Sequence, residues 1–80
     1  MLEELKSARK VVGIKQLRRA MEAAQVKNAY IACDADPRLT EPLIFLCEQS
    51  GIPCDCTRTL RQLGTACGID VGAAAVGILR

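Results

Sequence analysis

Apolar and polar positions alternate along this chain in two different periods. Around Lys15 to Ala24, Leu17, Ala20, Met21 and Ala24 fall at i, i+3, i+4 and i+7, while Lys15, Arg18, Arg19 and Glu22 point elsewhere. One apolar stripe with a cationic remainder predicts a helix packed on a core. A short opening helix is expected over Leu2 to Ala8, and Lys10-Val11-Val12-Gly13 reads as a brief strand ending in a turn. Asn28 to Cys33 is an apolar strand, closed by a turn at Asp34-Ala35-Asp36-Pro37. Thr40 to Ser50 predicts a further helix, with Pro42 in its first turn, Leu39, Leu43, Leu46 and Cys47 on its buried face, and Gly51 as its stop. Pro53 opens a strand through Cys54 and Cys56. Thr59-Leu60-Arg61-Gln62 has the capping-box spacing and starts a short helix that ends at Gly68. A loop follows through Gly72, and Ala73 to Leu79 reads as a buried strand, its small residues allowing helices to approach. Helix and strand patterns in alternation predict an α/β fold: four strands, parallel and antiparallel pairs mixed, between two helical layers.

Eighty residues, half of them apolar and a quarter charged, suffice for a single small domain over residues 1–80. The longest apolar run, Val71 to Leu79, has nine residues, against the roughly 20 of a membrane span, so no membrane partner is expected. Met1 to Lys6 has neither the basic region nor the apolar stretch of a signal peptide, which makes a cytoplasmic location the expectation. Histidine and tryptophan are absent, and Tyr30 and Phe45 are the only aromatics. Histidine triads, histidine-ligated metals and multi-aromatic base-stacking platforms are thereby excluded. Five cysteines without an export signal are expected to be reduced; Cys33, Cys47 and Cys67 sit on apolar faces as small hydrophobes, and Cys54 and Cys56 form an isolated C-x-C. No second pair stands at zinc-ribbon spacing, so neither metal nor other cofactor is expected.

The net charge of +2 is unevenly spread. Residues 1–27 carry seven Lys/Arg against three Glu, residues 28–56 carry Arg38 against five acids, and residues 57–80 carry three Arg against Asp70. Such a split is compatible with a local anionic partner, although a solvated charged face is its ordinary explanation.

Two places are chemically unusual. Gly13 precedes a helix start whose first turn and a half holds Lys15, Gln16 and Arg19. Free amides and the helix dipole favour an anion there and disfavour cations, a conflict that an anionic ligand would remove and that a merely solvated turn leaves standing. The second is the Gly68–Gly72 loop, where Ile69 and Val71 either form an exposed contact patch or tuck under the sheet. No nucleophile–base pair can be assembled, so an enzyme is not expected.

The runs Gly13-Ile14-Lys15-Gln16-Leu17-Arg18-Arg19, Ala32-Cys33-Asp34-Ala35-Asp36-Pro37, Leu46-Cys47, Gly51-Ile52-Pro53 and Leu63-Gly64-Thr65-Ala66-Cys67-Gly68-Ile69-Asp70-Val71 resemble the kink-turn RNA-binding family. That family includes archaeal and eukaryotic large-subunit ribosomal proteins and small-ribonucleoprotein core proteins, and the chain looks most like its small bacterial ribosomal-protein-like members. The resemblance implies a three-layer α-β-α sandwich and a kink-turn ligand: a bulge followed by tandem sheared G·A pairs, sharply bent between two stems. It implies that Lys15, Gln16 and Arg19 meet the G·A guanines and neighbouring phosphates, and that Ile69, Asp70 and Val71 pack on the bulged nucleotides. It also places Gly13, Arg18 and one or both of Arg58 and Arg61 against the RNA. Many members have asparagine then glutamate where this chain has Lys15 and Gln16, and Gln16 cannot supply a charged acceptor to a guanine edge. The implied role is that of a monomeric ribosomal or ribonucleoprotein component, with ribosomal RNA among its possible targets. Its rivals are a protein–protein adaptor of the same fold, with Ile69 and Val71 as hot-spot contacts, and a thiol or metal protein using Cys54 and Cys56.

Overall fold

The structure is a computed structural model, described here over residues 9–80. Its elements run β1 (Lys10–Val12), α1 (Ile14–Glu22), β2 (Val26–Ile31), α2 (Pro37–Ser50), β3 (Cys54–Asp55), α3 (Leu60–Ala66) and β4 (Ala75–Leu79). The opening helix expected over Leu2 to Ala8 lies outside the described residues. The four strands are ordered β1-β4-β2-β3, with β4 antiparallel to both β1 and β2, and β2 parallel to β3. The mixed sheet predicted from the alternating pattern is therefore present.

β4 is central because it is apolar on both faces. Ala75 faces the cluster built on Leu17, Met21, Leu43 and Cys47, whereas Val76 and Ile78 face the one built on Leu63 and Ala73. Thus α1 and α2 cover one side and α3 the other. On β2, Val26, Ala29 and Ile31 all join the first cluster although Val26 and Ala29 are three apart; a register shift between Val26 and Asn28 restores the alternation after the extra residue. Gly77 leaves room for α1 to settle on the sheet, since a Cβ there would stand 2.5 Å from Leu17 Cδ1.

Local chemistry sets the helix ends, and several differ from expectation. α1 ends at Glu22, so Ala24 leaves the predicted stripe: it is exposed, with a left-handed φ of 56°. α2 begins at Pro37 rather than Thr40. Asp36 is its N-cap, accepting the Arg38 N–H at 2.9 Å, and Pro37 occupies the first turn, where its missing N–H costs nothing. Pro42 therefore lies inside the helix, and Leu39, 53% exposed, is off the buried face that Leu43 and Cys47 occupy. Gly51 ends the helix with φ 68°, as its position suggested. β2 stops at Ile31, which leaves Cys33 in the following turn and exposed rather than packed. β3 and β4 are both shorter than the patterns predicted, spanning Cys54–Asp55 and Ala75–Leu79. The capping box of α3 is complete: Gln62 N–H donates to Thr59 Oγ1 at 3.1 Å, and Thr59 N–H donates to Gln62 Oε1 at 2.9 Å.

Candidate nucleic-acid interface

One wall of the candidate site is the start of α1. Gly13 is its N-cap with φ 113°, a conformation that favours glycine, and no side chain caps the helix. The first intrahelical bond is Leu17 N–H to Gly13 O at 2.9 Å, so the amides of Ile14, Lys15 and Gln16 precede the ladder. Gln16 folds back so that its Oε1 occupies the space a Cβ on Gly13 would need. Lys15, Gln16, Arg18 and Arg19 are all exposed, and the first turn holds no acid. Gln16 and Arg19 border a shallow hollow of about 290 Å³ together with Gln25.

The second wall is the segment after α3. Ile69 is 37% exposed and Val71 69%, with Asp70 exposed between them. Of the two alternatives left by the sequence, the exposed apolar patch is the one observed. The segment borders a concavity of about 720 Å³ whose other side is formed by Leu60, Arg61 and Thr65. Arg61 is exposed, whereas Arg58 is half-buried, with an Nε that has no hydrogen-bond partner among the described residues. Hydrogen bonds from the Thr57 hydroxyl (2.6 Å) and amide (2.8 Å) hold the Asp55 carboxyl below the usual carboxylate range, and the nearby Arg58 charge adds to this.

Both walls stand at one end of the sheet. Gly13 N–H donates to Ala75 O at 2.8 Å, fixing the start of α1 against the first residue of β4. Val71 is four residues earlier, which at full extension is at most about 14 Å. Ala73 N–H to Leu60 O (3.0 Å) and Ala32 N–H to Ala74 O (2.9 Å) tie the intervening residues to α3 and β2. The start of α1, with its cations and free amides, and the Ile69–Val71 segment with Arg61 are thus both anchored at the end of the sheet where β4 begins.

Such a surface can bind a polyanion with an unstacked or bulged apolar face, with charge-assisted bonds at the cationic wall and apolar contact at the other. A family match decides the protein's kinship: residues 1–80 match the Ribosomal protein L7Ae/L30e/S12e/Gadd45 family. The chain belongs to that family. It is 41% identical over 69 residues to a Bacillus pumilus protein named "RNA-binding protein", covering 86% of this chain and 84% of the relative. It is 36% identical over 76 residues to "RNA-binding protein YbxF" of Geobacillus stearothermophilus, covering 95% and 93%. Among solved structures, the Giardia lamblia 15.5kD RNA binding protein superposes with a TM-score of 0.89 at 25% identity, covering 99% of this chain and 70% of that one. A Bacillus halodurans protein of unknown function shares the fold, with a TM-score of 0.89 at 23% identity, covering 99% and 83%. The kinship inferred from the sequence motifs is therefore correct, as is the three-layer α/β architecture.

Three participants were not apparent in the sequence as parts of the site. Asp34 accepts the Leu60 N–H at 2.7 Å, 26 residues away in the chain. Gly64 and Gly72 allow close approaches: a Cβ on Gly64 would run into Val71 O of the main chain, and one on Gly72 would stand 3.0 Å from Leu60 Cβ. Asp34 and Gly64 carried a signal only as members of the family motifs, and Gly72 only as the end of the Gly68–Gly72 loop.

Three of the five thiols lie apart, in the core beneath α2 and β3, while Cys67 packs on the α3 side and Cys33 is exposed. Cys54 and Cys56 Sγ are 3.6 Å apart beside the buried Cys47. Burial pushes the Cys47, Cys54 and Cys67 thiols up, keeping them protonated near neutrality. Among the described residues no group of three or more ligating side chains is placed to hold a metal ion, and no helix is long and apolar enough to cross a membrane.

Proposed function

We propose that this chain is a non-enzymatic RNA-binding protein that recognises kink-turn motifs and stabilises their bent form, as a monomeric component of the ribosome or another ribonucleoprotein in the bacterial cytoplasm. The observation that carries the reading is the shared end of the sheet, where both the cationic start of α1 and the exposed Ile69–Val71 segment are anchored by backbone bonds. Family membership and the RNA-binding names of its relatives support RNA as the ligand.

The proposed chemistry follows from the shape of RNA. A-form helices hide their major groove from side chains, and a sharp bend beside sheared G·A pairs widens it enough to admit the start of a helix. Lys15, Gln16 and Arg19 then meet guanine edges and phosphates, with Gly13 allowing close backbone approach, while Arg18, Arg58 and Arg61 supply charge to the flanking backbone. Ile69 and Val71 cover bases splayed out of the bulge, and Asp70 accepts from their edges or sugars. Tighter binding to the bent form than to the extended form draws the RNA ensemble toward the bend. Because Lys15 and Gln16 replace the family's frequent asparagine and glutamate, phosphate attraction carries more of the affinity here.

A gel-shift assay compares a duplex containing a kink-turn with the same duplex lacking its G·A pairs. Binding to the first that is much tighter than to the second is expected. Equal binding to both removes kink-turn recognition, and binding to neither favours an adaptor that uses Ile69 and Val71 to contact protein.

A further inference from the structure

An acid beside an RNA-binding surface repels the ligand, so its presence there needs a physical reason. Asp34 is such an acid: it is exposed, in the turn after β2, and its Oδ1 lies 2.7 Å from the amide of Leu60, between Arg58 and Arg61 in the sequence. We propose that Asp34 is a positioning residue of the interface, which holds the N-terminus of α3 so that Arg61 and the Ile69–Val71 segment face the RNA together. This inference rests on the RNA-binding reading above.

The argument follows the bonds around Leu60. Its N–H is taken by Asp34 and its C=O accepts the Ala73 N–H at 3.0 Å, while Cys33 N–H donates to Arg58 O at 2.8 Å. A single residue of α3 is therefore gripped from both sides, by the turn after β2 and by the chain entering β4. Asp34 contributes a side chain to this knot; the other partners are backbone groups, which substitution cannot easily remove. The capping box satisfies Gln62 N–H and leaves Leu60 N–H without a partner inside the helix, so α3 depends on Asp34 for that donor. The grip extends to the far wall, because Gly72 packs on Leu60 and Gly64 on the Val71 carbonyl. Movement of Leu60 displaces Val71 with it.

The part that does this work is an acceptor oxygen, and the charge is incidental. That separates two variants which both lose the charge. Asp34→Asn keeps Oδ1, while Asp34→Ala removes it. Affinity of the full chain for a kink-turn duplex is measured for parent and variants across a salt series, at temperatures where circular dichroism shows each fully folded. Asp34→Asn is expected to bind as tightly as the parent or slightly tighter, and Asp34→Ala roughly three- to tenfold more weakly. The salt slope of Asp34→Ala is expected to be shallower by about one, because one arginine no longer reaches a phosphate, whereas a purely stabilising role would leave that slope unchanged. Equal affinity and slope for Ala and Asn overturn the inference while leaving RNA binding intact. Failure of the parent itself to bind any such duplex overturns the functional reading and this inference with it. Should Asp34→Ala not fold, Asp34→Glu takes its place, keeping the charge but moving the acceptor by one methylene; binding as tight as the parent's, with the same slope, then overturns the proposal.

Discussion

Gly64 and Val71 touch backbone to backbone: the face of Gly64 that any other residue would fill with a Cβ is occupied by the carbonyl oxygen of Val71. Because this neighbour is main chain and not the end of a flexible side chain, the Ile69–Val71 segment has to move if Gly64 gains even a methyl group. Gly64→Ala is expected to cost about 1 to 3 kcal/mol of stability through overpacking. It should also weaken RNA binding of the folded protein. Thermal melts and RNA titrations of the same sample test both, and unchanged affinity would detach the segment from the interface.

The two walls of the surface should respond differently to truncation. Arg19 is exposed and lies off the α1 stripe, so Arg19→Ala is expected to lower affinity by about 1 to 3 kcal/mol while leaving the melting temperature in place. Val71 is 69% exposed, so Val71→Ala should change stability by no more than about 0.5 kcal/mol. Its loss should appear in RNA affinity instead. A Val71→Ala protein that melts early but binds normally would return this residue to the core.

Phosphate contacts leave a signature in salt dependence. If three to five of Lys15, Arg18, Arg19, Arg58 and Arg61 neutralise phosphates, log K should fall against log salt with a slope of roughly −2 to −4. Removing Arg61 should make the slope shallower by about one. A slope near zero points to the protein adaptor.

Acid should weaken the fold through two carboxylates. The Arg38 side chain holds the Asp36 carboxyl below its ordinary range, in a pair with N···O 2.9 Å, and the Thr57 hydroxyl and amide do the same for Asp55. Unfolding returns both to values near 3.9, so below that pH the unfolded chain takes up protons first and stability falls as pH falls toward the folded values. The melting temperature should be flat between about pH 5 and pH 7 and should drop below about pH 4. In the Asp36→Asn variant the drop should be smaller. Equal melting temperatures at pH 3 and pH 6 would contradict this assignment.

What the sequence disclosed was governed by distance along the chain. The α1 stripe, the Thr59–Gln62 box and the Gly51 stop are all decided within one or two turns, and all appear where expected except Ala24, which lies past the end of α1. The start of α2 was misread because two prolines competed for the first-turn position; the Asp36 cap settles it in favour of Pro37. The exposed cations and Ile69–Val71 were legible as oddities, since each broke a local rule of dipole or burial. The bonds that place them together were not, because Asp34–Leu60 and Gly13–Ala75 join residues far apart in the chain. A close approach such as Gly64 on Val71 leaves only a glycine in the sequence, and a glycine has many other uses.

The sheet order has a consequence for how the protein comes into being. β1 and β2 never pair with one another; each hydrogen-bonds to β4, which lies between them. During synthesis, therefore, both strands wait with open edges until residues 75–79 emerge, and the start of α1 waits with them for the Ala75 carbonyl. Assembly of this kind relies on distant partners and is slow relative to local helix formation. Nascent chains halted before Ala75 are expected to be cleaved readily by protease along β1 and β2, and to acquire resistance and RNA affinity together once β4 is present.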